Sequence, residues 1–183
     1  IYDFLRLLYA RASDAYSHVT GKKMVSYTEE QIRQLVAEQF QGKRILVLAP
    51  LVKGRKGHYR ELFEQVRKQG YLKVRVDSEI REIEFGMQLD RYKIHDIEVV
   101  IDQLHIDKDG GSRLTKSLQD ALKQGKGSVA ISDYDSDNVR HYSKALICVD
   151  SGISYPEPEP NTFSFNSPYG ACQKCNGLGT ISE

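Results

Sequence analysis

His58-Tyr-Arg-Glu-Leu-Phe-Glu-Gln-Val-Arg-Lys-Gln-Gly70-Tyr71-Leu-Lys-Val-Arg-Val-Asp77 changes its hydrophobic period at one glycine. Before Gly70, Leu62, Phe63 and Val66 recur at helical spacing, which predicts a helix from His58 to Gln69 with Gly70 as its C-terminal cap. After it, apolar and charged residues alternate, which predicts a strand from Tyr71 to Asp77. Leu72, Val74 and Val76 then point inward, and Lys73 and Arg75 share the outer face. The run from Arg44 to Val52 is β-branched and leucine-rich, a buried strand in which Pro50 marks the end, an edge or a bulge. Together these segments make one strand–helix–strand unit.

The same signals recur on either side. Ile83 and Phe85, in phase, predict a short strand that ends at Gly86. Asp96 to Ile106 reads as a long strand whose apolar phase changes between Ile101 and Leu104. That change predicts a bulge near Asp102-Gln103 or burial on both faces. Asp109-Gly-Gly-Ser112 reads as a turn and cap for a helix lined by Leu114, Leu118, Ala121 and Leu122, ending at Gly125. Val129 and Ile131 mark a strand, Asp133 to Asn138 an acidic turn, and Val139 to Val149 a return strand. Upstream, Thr28-Glu-Glu-Gln31 is a capping box for a helix that buries Ile32, Leu35, Val36 and Phe40. Residues 1–13 read as a helix with an apolar stripe of Ile1, Phe4, Leu5, Leu8 and Ala12, followed by a loop to Ser26. The expected architecture is an α+β domain over 27–147, with a mixed β-sheet and helices mainly on one face. An N-terminal helix and loop at 1–26 precede it, and a zinc-ribbon-like segment at 148–183 follows.

That last segment contains Cys172-Gln-Lys-Cys175-Asn-Gly-Leu-Gly179, half of a tetrahedral thiolate site. Cys148-Val-Asp-Ser151 stands where the other half belongs. Cys148, Cys172 and Cys175 are therefore candidate zinc ligands, with a water or a histidine in the fourth place. Ser151 is a poor ligand because its hydroxyl stays protonated near neutral pH. Pro156-Glu-Pro-Glu-Pro160 reads as a stiff spacer, and Phe163 and Phe165 as anchors beneath the ribbon.

The bulk numbers exclude little. The chain has 183 residues, 40% hydrophobic and 28% charged, with a net charge of +1, which is ordinary for a globular domain. It starts at Ile and ends just past the cysteine pair, so it reads as a piece of a larger protein. Three cysteines, two of them in Cys-x-x-Cys, favour a metal site in a reducing, cytoplasmic setting over a disulfide framework. No apolar run approaches a membrane span. Charge is unevenly placed: cations dominate from Lys43 to Arg75 and acids from Asp77 to Asp137. One sign on one segment suggests an acidic partner. Lys53-Gly-Arg-Lys-Gly57 reads as a basic loop in which Arg55 and Lys56 are candidate contacts. It is not a phosphate-binding loop, since Gly-x4-Gly-Lys-Ser/Thr spacing occurs nowhere. Five histidines show no catalytic spacing, so no enzyme site is expected within the chain.

Several stretches, taken in order, resemble UvrA, the ATPase of bacterial nucleotide excision repair. They are Ile1-Tyr-Asp-Phe-Leu-Arg-Leu-Leu-Tyr-Ala-Arg11, Leu48-Ala-Pro-Leu-Val52, Gly54-Arg-Lys-Gly57, Arg67 to Asp77, His95 to Asp102, and Ile153 to Cys172. The resemblance implies a non-catalytic piece of UvrA, its UvrB-binding domain with the adjoining helix and ribbon. It implies that the full-length protein hydrolyses ATP, dimerises and loads UvrB onto damaged DNA, so ATP belongs to the full-length protein. The Tyr71–Asp77 strand matches a segment whose basic residues face UvrB, which makes Lys73 and Arg75 candidate contacts. Gln103 stands where a second family Arg is common. Ser151 departs from a family Cys-x-x-Cys pair, and Ser17-His-Val-Thr20-Gly21 stands where Cys-Pro-x-His-Gly is frequent. The second reading is a nucleic-acid-binding module that uses the basic 43–75 segment and the ribbon.

Overall fold

Thr28 starts the first domain helix as its sequence requires. Its hydroxyl accepts the Gln31 N–H at 3.2 Å while the Gln31 side chain accepts the Thr28 N–H at 2.8 Å. Two otherwise unpaired donors are thus satisfied, a motif worth about 1 kcal/mol. The helix, α2, spans Glu29–Gln39 and buries Ile32, Val36 and Ala37. The structure, a computed structural model, describes residues 1–107, 111–136, 138–155, 158–172 and 174–180. The expected Asp109-Gly110 turn and Pro156-Glu157 spacer lie outside the described residues.

The remaining elements in chain order begin with α1, Tyr2–Ala12, ahead of α2. They continue with β1 (Arg44–Lys56), α3 (Arg60–Lys68), β2 (Lys73–Val76), β3 (Glu79–Glu82) and β4 (Ile94–His105). Then come α4 (Gly111–Gln124), β5 (Ser128–Asp133), β6 (Val139–Ser143), β7 (Leu146–Ile147) and β8 (Ser154–Tyr155). Six strands form one sheet in the order β3-β2-β4-β1-β5-β6. The α+β class holds, but the pairing is more uniform than the expected mixed sheet, because every adjacent pair is antiparallel. The two strand–helix–strand units account for this. β1 and β2 flank β4, and β4 and β5 flank β1, so each crossover skips one strand that runs the other way. This interlocked β-α-β-β-α-β arrangement is the ferredoxin-like split unit, with β3 and β6 added at its edges.

All three helices of the domain pack on one sheet face. Ile32, Phe63, Val66, Leu114 and Leu118 share a buried core with Val47, Val74, Val76, Ile97, Val99 and Ile131. Burying a side chain such as Phe63 contributes roughly 1.5–3 kcal/mol. The opposite face carries a smaller cluster, Leu46, Leu48 and Ala130, with Val100 and Val139 partly buried around it.

Bulges curl the sheet. The β1–β4 register slips between Val47 and Leu48, opposite Asp102 and Val100, so Ile101 is the extra residue. This is the irregularity that the phase change predicts. A second slip at Pro50–Val52 leaves Leu51 extra, which accommodates a proline inside the strand. A third corrects the expected loop at Lys53–Gly57, because β1 continues to Lys56. Gly54 takes φ +63 and donates its N–H to Asp96 at 2.7 Å, while Lys53 bonds the same carboxylate at 2.8 Å.

Three further expectations are corrected. Leu72 precedes β2 and is 70% exposed, because the strand begins one residue later. Phe85 is 83% exposed, since β3 ends at Glu82 and only Ile83 turns inward. The return strand breaks after Ser143 and resumes as β7, which pairs with β8 rather than with the main sheet.

Candidate functional site

Antiparallel register decides which charged residues meet. Val74 pairs with Val99 and Arg75 with Glu98, so Lys73 lies opposite Val100 on the helix-free face. Gln103 pairs with Leu46 on that same face, one strand over and past the Ile101 bulge. Lys73 and Gln103 are both exposed; the Gln103 backbone N–H donates to Asp102 at 2.8 Å and its carbonyl accepts from Arg113 Nη2 at 3.2 Å. The arrangement thus gathers a cation and a neutral hydrogen-bonding amide around half-buried Val100. Ile80, 46% exposed, pairs with Arg75 at the sheet edge and adds apolar surface.

Arg75 belongs to this face but is not a free contact. Its Nε and Nη2 both reach Glu98 Oε2, and the two side chains are only 13% and 8% exposed. Alternation places Arg75 outward correctly, but it does not show that the cross-strand neighbour is an acid. Arg55 and Lys56 are also separated from the group. They pair with His95 and Ile94, at the opposite end of β4 from Gln103.

Between the two ends lies a cavity of about 160 Å³, lined by Pro50, Lys53, Glu98, Ser128, His141 and Gly152 among others. His141 is 8% exposed. Burial, with the nearby Lys53 and Arg75 charges, pushes its pKa down to about 4. Gly152, at φ +69, passes so close that a Cβ there would sit 2.8 Å from His141 Nδ1. The β7–β8 hairpin thus closes over the imidazole, a feature with no signal in the local sequence.

Among the described residues the three thiols are not gathered at metal-binding spacing. Cys148 is buried, with Thr20 Oγ1 3.2 Å from its sulfur. Hydrogen bonds from Ser151, then from Thr20, lower its pKa to about 6. Cys172 and Cys175 occupy a separate loop. There the N–H groups of Cys175 and Lys174 lower the Cys172 pKa, and the Gly179 N–H donates to Cys175 Sγ at 3.3 Å. That pair has the N–H···S pattern of a thiolate half-site. Among the described residues, however, no three His, Cys, Asp or Glu side chains gather at metal-binding spacing.

Phe163 and Phe165 pack against α1 instead of beneath a ribbon. Tyr9 stacks on Phe163 at 5.8 Å and Tyr2 on Phe165 at 5.5 Å. The N-terminal loop joins the same region through Lys22–Asp150 at 2.6 Å, His18–Tyr155 at 2.7 Å and the Val25–Ile147 bridge. One flank of α1 remains apolar and exposed, with Ile1, Phe4 and Leu8 at 97%, 77% and 57%.

Comparison with known proteins agrees with this geometry. Residues 27–135, which hold the sheet from β1 to β5 and its three helices, match the family model described as the UvrA interaction domain. UvrABC system protein A of Bacillus subtilis is 43% identical over 183 residues, covering 100% of this chain and 19% of that protein. The Methanothermobacter thermautotrophicus protein is 41% identical and the Thermus thermophilus protein 39%, again over 100% of this chain and 19% of each relative. The chain thus spans about a fifth of the length of these relatives. Among the described residues no helix is long and apolar enough to cross a membrane. The chain belongs to the UvrA family, and residues 27–135 are its UvrA interaction domain.

Proposed function

We propose that this chain is the non-catalytic UvrB-docking part of a UvrA protein acting in nucleotide excision repair, and that UvrB seats on the helix-free sheet face around Lys73 and Gln103. The observation that carries the reading is the convergence of those two exposed side chains on adjacent strands around half-buried Val100, within the segment that matches the interaction domain. A rigid sheet supplies position, Val100 and Ile80 supply apolar area, and Lys73 supplies steering toward an acidic surface. Arg75 serves by holding Glu98, so the partner meets a neutral pair there rather than a bare carboxylate. ATP hydrolysis, dimerisation and engagement of damaged DNA then belong to the full-length protein. Cytoplasmic location follows from the same reading.

Titration of the chain with UvrB tests this. Lys73→Glu with Gln103→Glu is expected to weaken binding at least about tenfold, since charges facing an acidic patch are reversed or added. Unchanged affinity in a folded double variant would place the interface elsewhere.

A further inference from the structure

Beyond the UvrB reading, the far end of the β1–β4 ribbon carries a separate charged surface. There Arg55 pairs with His95 and Lys56 with Ile94, and neither β2 nor β5 extends that far. The turn that leads into β4 adds Arg91, Tyr92 and Lys93, all exposed, with Tyr92 at 69% and Ile94 at 62%. Among the described residues, Arg55, Lys56, Arg91 and Lys93 form no ion pair.

Most nearby acids are already engaged. Asp96 holds Lys53 and the Gly54 N–H. Asp77 holds His95 at 2.7 Å, and His95 Nε2 also lies 2.9 Å from the Asp90 carbonyl. Both ring nitrogens therefore face acceptors, and the hydrogen bond to Asp77 raises the His95 pKa and favours its charged form. Asp90 forms no ion pair among the described residues; its charge acts on His95, and its carboxylate accepts the Tyr92 N–H at 3.0 Å. Four cations without an ion pair among the described residues make the tip locally basic on a chain of net charge +1.

The tip's shape also narrows the ligand. Alternation sends Arg55 to the side of buried His95 and Lys56 to the side of exposed Ile94, so the cations leave the ribbon on both flanks. A ligand with one line of charge satisfies one flank. A duplex groove, with a phosphate strand on each wall and about 12 Å of width in the major groove, satisfies both. Arg91 stacks its guanidinium 4.6 Å from the Tyr92 ring centre, which leaves an aromatic–cation unit at the front of the tip.

We propose that this ribbon tip is a sequence-independent contact for the phosphate backbone of double-stranded DNA, through Arg55, Lys56, Arg91 and Lys93. The tip supplies charge to phosphates, contacts that position a protein on the duplex and carry no sequence information. The tip lies at the other end of β4 from Gln103, so DNA and UvrB occupy different ends of one sheet.

Fluorescence anisotropy of the full chain with a labelled 20-base-pair undamaged duplex tests the proposal. About four phosphate contacts give a salt exponent near −3.6, so affinity falls roughly twelvefold on each doubling of salt. The triple variant Arg55→Gln, Lys56→Gln, Lys93→Gln is expected to lower that exponent to about −1 and weaken low-salt binding at least about tenfold. Its UvrB affinity is expected to stay within about twofold. Should that variant fail to fold, Arg91→Gln with Lys93→Gln is read in the same way, with about two-thirds of that loss in exponent. No binding by the unmodified chain, or binding and salt dependence unchanged in a folded variant, overturns the proposal. So does displacement of the duplex by poly-glutamate as effectively as by unlabelled DNA at equal charge, which would assign the tip to an acidic protein.

Discussion

Removing the Arg75 guanidinium is the sharpest test of how the sheet face is built. Arg75→Met keeps the volume of the stem and leaves Glu98, 8% exposed, with no cation in contact. Exposed pairs are worth about 0–1 kcal/mol, but stranding one member of a buried pair costs about 3–5 kcal/mol. With 13% and 8% exposure, this pair belongs to the second class, so a loss near 3 kcal/mol is expected. The double variant Arg75→Met, Glu98→Met removes both charges and packs against Val100 and the Pro50 bulge. It is expected to recover most of the loss, because a hydrophobic replacement of a buried pair is often neutral. Urea unfolding followed by circular dichroism, with the slope held constant, reads both values. A single-variant loss below 1 kcal/mol would refute the reasoning, because it would mean Glu98 reaches water. By contrast, Lys73→Met on the same strand is expected to change stability by less than about 0.5 kcal/mol.

Other predictions rest on the same arrangement. Gly152→Ala places a methyl within 2.8 Å of His141 at φ +69 and is expected to cost about 2 kcal/mol or more in thermal unfolding. His141 is held near pKa 4 in the folded chain against an ordinary 6.5, so the unfolded chain binds the extra proton between those values. Stability should therefore fall by up to about 3 kcal/mol as pH drops from 6.5 to 4, and His141→Gln should flatten that limb. His95 runs the other way: its folded pKa is raised, so its contribution is full below pH 6.5 and is lost as pH rises through the folded value. His95→Gln should remove that decline on the alkaline side. Metal analysis of purified chain tests the three thiols: if Cys148, Cys172 and Cys175 hold zinc together, one zinc per molecule is expected and Cys175→Ser should remove it, whereas a metal-free chain would rule out that ligand set.

Local pattern carried much of this structure. The Thr28–Gln31 capping box, the helical stripe of Leu114, Leu118 and Leu122, and the strand alternation around Val74 all express neighbouring side chains competing for one buried face. The Ile101 bulge was legible for the same reason, as a break in alternation. Non-local facts were not. Nothing near Arg75 indicates that Glu98, 23 residues away, will neutralise it. Nothing near Cys148 shows that Thr20 will reach its sulfur, or that Phe163 will choose Tyr9 on α1. Lys53 to Gly57 has the composition of a loop, yet the Asp96 carboxylate organises it as a bulged strand. In the candidate site, the residue types were readable in the sequence. Their grouping depended on register: Lys73 with Gln103, and Arg55 with Lys56 at the other end.

The most direct measurement of the central claim is methyl NMR of the labelled chain during titration with unlabelled UvrB. Ile80, Val100 and Val139 report the helix-free face, while Ile32 and Leu118 report the helical core. The account predicts shifts or broadening at Ile80 and Val100, weaker changes at Val139, and none at Ile32 or Leu118. Changes confined to the helical side, or no change at Val100 under saturating UvrB, would contradict it.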